Sequence, residues 1–205
     1  MYWGMCGKKS RLLGIAGALV LGLSACIPTS ENPIATPDAK LDSALNGAWR
    51  GTLEDGGLVY LHFMRGKEDK LKAILVTREN PEDAEHEDQG EWAAFTLVTA
   101  EVAGTRYMSA LFDYDDGEAV TGETRGYHLL RYAIADDGTL SMFQVDSEAL
   151  AEAVEKGKLQ GTVERGQIST DVRVTTPSQG LVAYLKTIDP TTLFNRPFAA
   201  MTRID

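Results

Sequence analysis

Leu58-Val59-Tyr60-Leu61-His62-Phe63-Met64 decides how this chain is read. Val59, Leu61 and Phe63 share one side of an extended chain, and Tyr60 and His62 share the other. That is the period of a strand with one face turned to a core. Working outward, Asp55-Gly56-Gly57 supplies a hairpin turn, and Ala48 to Leu53 forms the strand before it. Leu71 to Thr77 is the strand after it.

The same rhythm continues. Glu91 to Val102 and Thr105 to Phe112 flank Ala103-Gly104. Tyr127 to Ile134 and Thr139 to Val145 flank Asp136-Asp137-Gly138. Arg78 to Gly90 and Asp113 to Thr124 read as polar, acidic loops. At Asp146-Ser147-Glu148 the period changes: these residues cap a helix to about Glu155, with Leu150 and Val154 on one face and Gly157 ending it. Leu159 to Glu164 and Asp171 to Thr175 are strands. Ser178 to Ile188 is a second helix with Leu181, Leu185 and Ile188 aligned, and Pro197 to Ile204 is the last strand. The expected fold is mostly β with two short helices. It is an antiparallel meander barrel, or alternatively a sandwich, with the helices over a barrel mouth or an open edge.

The first 25 residues have another character. Lys8, Lys9 and Arg11 precede the apolar run Leu12 to Leu23, and Leu23-Ser24-Ala25-Cys26 follows. About 12 to 14 apolar residues are too few for a membrane span, which needs roughly 20. Leu-Ser-Ala-Cys resembles the lipobox of bacterial lipoproteins. The resemblance implies a signal peptide over residues 1–25, a diacylglycerol on the Cys26 sulfur, and an acyl chain such as palmitate on its new amine. Several acyl chains on one residue make a stable anchor. Ile27 follows where an Asp favours inner-membrane retention in many Gram-negative lipoproteins, so the resemblance points to the outer membrane, facing the periplasm. The alternative is a leader cut near Ala25 without lipid. Residues 26–44, with Pro28, Pro33 and Pro37 and little apolar content, read as a flexible tether. Residues 45–205 read as one β-rich domain, similar from Tyr127 to Gly161 to bacterial lipoproteins with a β-rich body.

Charge and cysteines narrow the function. The formal charge of −10 becomes −13 once the three leader cations are removed. A surface so acidic repels phosphate backbones, which excludes nucleic acid as a natural partner. Any membrane contact is left to the anchor. Cys6 lies in the leader and Cys26 carries the lipid, so the mature fold has no disulfide or thiol chemistry, and no cofactor is expected.

Gly47-Ala48-Trp49 opens the first strand and resembles the Gly-x-Trp of lipocalins, in which the Trp plugs one barrel end. The lipocalin Thr-Asp-Tyr element has only a partial counterpart in Phe112-Asp113-Tyr114, and the cysteine pair common in that family is absent. The resemblance implies a small apolar ligand inside the barrel, with Trp49, Tyr60, His62 and His128 as candidate lining residues. The alternative partner is an envelope protein. A third reading is an envelope hydrolase or isomerase at a barrel mouth near His62 and His128, provided both imidazoles share a face. Neither pairs with His86 at a zinc spacing. Asp113, Asp115 and Glu123 are metal candidates. Asp113-Tyr114-Asp115 matches positions one and three of a calcium loop, but position six is Glu118 and position twelve Thr124. Shifting the register by one brings Gly117 and Glu123 into place and puts Phe112 where an oxygen is needed.

Overall fold

A computed structural model describes residues 27–37, 41–53, 56–66, 70–78, 90–122, 125–167 and 169–204. Its strands are β1 (Thr29–Ser30), β2 (Gly47–Thr52), β3 (Leu58–Arg65), β4 (Leu71–Arg78), β5 (Gly90–Val102), β6 (Thr105–Asp115), β7 (Glu118–Ala119), β8 (Tyr127–Ile134), β9 (Leu140–Gln144), β10 (Gly161–Arg165), β11 (Thr170–Val174) and β12 (Arg196–Ile204). The helices are α1 (Ser147–Glu155), α2 (Ser178–Leu185) and α3 (Pro190–Leu193), with a 3-10 helix at Ser43–Leu45.

The meander β2-β3-β4-β5-β6 continues through β8, β9 and β12, and β12 pairs back on β2. Eight antiparallel strands thus close into a barrel, and the sandwich alternative is not adopted. Closure leaves no edge among these eight. The alternation read from the sequence sets what lies inside: Val59, Leu61 and Phe63 of β3 meet Leu71, Ala73, Phe95, Leu97, Met108, Leu130, Met142 and Met201 in one core.

One barrel end is sealed. Leu45, at the end of the 3-10 helix, is fully buried, and its carbonyl accepts the Trp49 indole N–H at 2.7 Å. The Arg203 guanidinium lies 4.6 Å from the centre of the Trp49 ring. It donates to the Ala44 carbonyl at 2.6 Å and to the Asn46 carbonyl. Gly47 is required beneath this stack: its φ is +116°, and a Cβ there would lie 2.9 Å from Arg203 Nη1.

A second core lies outside the barrel. Strands β5, β6 and β8 turn Ala100, Val102, Tyr107 and Leu129 outward, and Leu150, Ala151, Leu181, Leu185, Leu193 and Phe194 pack onto them. The helices therefore lie along the outer wall, where the sequence had suggested a mouth or an edge. α1 begins as expected, with Asp146 accepting from the Ala149 N–H at 2.9 Å. The second helix stops at Leu185, and α3 follows as a separate turn started by Asp189 and Pro190.

Residues 27–37, expected as part of the tether, instead belong to the fold. Thr29 and Ser30 form a strand between β8 and β11, antiparallel to the first and parallel to the second. Ile34 is 1% exposed, and its N–H donates to Ser109 Oγ at 2.9 Å. The Asn32 amide donates to the Thr175 and Thr176 carbonyls at 3.3 Å. Prolines and polar residues conceal this because the segment has no periodicity of its own; its partners lie far along the chain.

A tether residue tolerates truncation and a core residue does not. Ile34→Ala should lower the unfolding free energy by about 2–4 kcal/mol in urea titration. A change near zero would return the segment to a tether.

Candidate functional site

Among the described residues, the outer faces of β3, β4, the first half of β5 and the end of β6 carry no helix. The ladder aligns its outward residues in two rows. One runs Arg50, Tyr60, Val76, Trp92, and the other runs Ala48, His62, Ile74, Ala94, Tyr114. Ile74, Trp92 and Tyr114 are 38%, 39% and 48% exposed, so large apolar side chains stand in neighbouring register on three adjacent strands. Arg50 lies over the Tyr60 ring at 5.9 Å. The turn from β6 into β7, with positive φ at Asp116 and Gly117, is tied to Trp92, whose carbonyl accepts the Asp116 N–H at 2.8 Å. Isolated exposed apolar residues are ordinary, but adjacent ones rimmed by polar groups mark interaction surfaces.

This wall has a fixed place on the barrel. Counting round the closed strand order, β3 and β4 lie across from β8 and β9. The N-terminal strand β1 joins the sheet at β8, across the barrel from β3 and β4.

Below the apolar rows a polar network borders the wall. The Asp113 carboxylate accepts from Lys72 Nζ at 2.8 Å, Arg125 Nη2 at 3.0 Å and Thr96 Oγ1 at 2.6 Å. Burial pushes the Asp113 carboxyl up, but the Lys72 and Thr96 hydrogen bonds and the Lys72 and Arg125 charges outweigh it, so its pKa lies below the usual range. A carboxylate held by two cations is a structural ion pair. Asp115 lies two residues on along β6, and Glu123 is outside the described residues. Among the described residues no three His, Cys, Asp or Glu side chains are grouped to hold a metal ion.

The four ligand candidates separate. Trp49 is in the sealed end. Tyr60 and His62 are on the outer wall, His62 exposed. His128 shares the inward face of β8 with Leu130 and Tyr132, its ring 4.8 Å from Phe112. The two imidazoles thus point to opposite sides of the wall and do not meet. Phe112, beside His128, remains only partly buried, as do Leu53, Leu75 and Phe198 of the same core. Cys26 and His86 lie outside the described residues.

Sequence reading missed Ile74, Trp92 and Tyr114. A signal was present: Leu71 to Thr77 breaks alternation, placing Ile74 and Val76 at positions that solvent-facing strands fill with polar residues. A shallow groove of about 540 Å³ between Lys158 and α2, lined by Tyr184 and Ile188 among others, lies in the helical lobe away from this wall. No protein-family model, no curated protein and no solved structure matches the chain.

His128 makes a pH test. Burial in apolar surroundings lowers its pKa from 6.5 to about 4, and its Nδ1 has no partner. Between those values the unfolded chain binds a proton that the folded one refuses. Stability is therefore full above about pH 6.5 and falls as the pH drops towards 4, by about 3 kcal/mol in all. His128→Leu should flatten that slope in urea titrations from pH 7 to 4 and cost nothing at pH 7, because it removes an unpaired buried nitrogen. An unchanged slope would assign the loss to other groups.

Proposed function

We propose that the protein is a lipid-anchored binding module of the cell envelope, held in the outer membrane by Cys26, whose outer wall docks on an envelope protein facing the periplasm. The observation that carries this reading is the trio Ile74, Trp92 and Tyr114, exposed side by side on a wall that no element of the described chain covers. Aromatic side chains are enriched where proteins meet, and a few of them carry most of the binding energy. The partner is a protein that offers an apolar patch to these three side chains. A second copy of the chain would bring the same negative charge against itself.

A second reading, a small apolar ligand, is favoured by one observation. Leu53, Leu75, Phe112 and Phe198 of the barrel core are only partly buried, and Phe112 touches the uncharged, inward-facing His128. Native mass spectrometry of the purified protein would reveal a ligand carried there.

The docking reading is tested in cells with a photo-crosslinking residue at position 62, beside the apolar rows. A discrete cross-linked protein is expected, and the pair Trp92→Ala and Tyr114→Ala should remove it, with each change weakening binding by about 2 kcal/mol, roughly thirtyfold. Absence of any adduct from this position in the anchored protein, or an adduct indifferent to both substitutions, would overturn the docking. Cys26→Ser should move the protein from the membrane to the soluble fraction.

A further inference from the structure

The lipid on Cys26, which this inference takes from the reading above, has consequences for how the barrel sits. Thr29 is already part of the sheet, paired with His128 and with Arg173. Cys26 is three residues before Thr29, and at most about 3.6 Å per residue the chain between them spans no more than about 11 Å. A flexible tether over residues 26–44 would have given the domain several times that freedom. The register supplies the direction. Because β1 runs parallel to β11 with Thr29 opposite Arg173, the chain enters from the Thr170 end of β11. That end is a hairpin turn: Arg165 pairs with Thr170, and the Gly166 N–H donates to the Ser169 carbonyl at 2.8 Å. Gln167 lies six residues before Arg173, so at about 3.3 Å per residue the turn projects roughly 15–20 Å past the level of Thr29. The turn thus reaches at least as far as Cys26 can.

We infer that the turn between β10 and β11 rests on the lipid headgroups beside the anchor, so that a three-residue leash and a hairpin tip together fix the barrel's orientation on the bilayer. The chemistry of the tip suits an interfacial position. The turn Gly166-Gln167-Ile168-Ser169 carries no charge in a strongly acidic chain. Behind it, Arg165 lies between Glu148 at 2.8 Å and Glu155 at 2.9 Å, which offsets one of the two negative charges of α1 on this face. The next cross-strand pair, Glu164 with Asp171, is acidic and exposed, which stops the contact at the turn and keeps the hairpin out of the hydrocarbon.

The test uses the full lipidated protein in phosphatidylcholine vesicles, with an environment-sensitive fluorophore on Gln167→Cys or, for comparison, on Ile74→Cys, and lipids that carry a quencher near the headgroup. Quenching is expected at 167 and not at 74. A Gly/Ser insertion of about twelve residues between Ile27 and Pro28 adds a coil span of about 20 Å, and most of the quenching at 167 should be lost with it. Intact mass separates the two readings. A chain without acyl groups would overturn both the anchor and the orientation. An acylated chain quenched equally at 167 and 74, or one indifferent to the longer leash, would overturn the orientation alone.

Discussion

The Arg203 guanidinium, stacked on Trp49 and bonded to the carbonyls of Ala44 and Asn46, joins β12 to β2 and to the turn that precedes β2. Everything else assumes that joint. A meander has two edges until its ends pair, and an open sheet of these strands would expose both a core face and an unpaired ladder. Pairing β12 with β2 removes the edges, and the arginine fixes the register at which they meet. It does so without a buried carboxylate. Backbone carbonyls and an indole face hold the cation, which stays solvent-exposed.

With the ring closed, position around it acquires meaning. The outward faces of β5, β6 and β8 differ along their length from those of β3 and β4. On β5, β6 and β8 the stretch around Ala100, Val102, Tyr107 and Leu129 is buried under the helices, whereas Ile74 on β4, Trp92 at the start of β5 and Tyr114 at the end of β6 are bare. The barrel thus separates a side committed to its own chain from a side available to another, and the N-terminal strand lies on the committed side.

The strands were legible because period two is local: each of Val59, Leu61 and Phe63 declares its face within five residues, whereas closure was not, since the same rhythm suits a sandwich as well as a barrel. The cap at Asp146 and the turn at Gly138 were legible for the same reason, since each acts on neighbours in sequence. What escaped was long-range. β1 is two residues long, with no pattern to read, and exists because β8 and β11 leave a gap that fits it. The opposition of His62 and His128 required knowing which face each strand buries. The wall of Ile74, Trp92 and Tyr114 required knowing which outward face stays uncovered. For Asp113, the acids were legible but the two cations that neutralise it were not, because Lys72 and Arg125 arrive from other parts of the chain.

The parallel pairing of β1 with β11 also imposes an order of events. Asn32 and Thr176, which bond across this junction, are separated by 144 positions. A contact of such sequence separation forms late, after the intervening barrel and hairpin have brought the partner strand into place. A polypeptide that emerges amino end first therefore presents its opening residues as extended chain for most of its maturation. On the proposed reading, the enzymes that acylate and trim Cys26 meet an unstructured substrate, and the later arrival of β11 retires that segment from further processing. Folding would then act as the clock that separates modification of the amino terminus from its use as a fixed mooring.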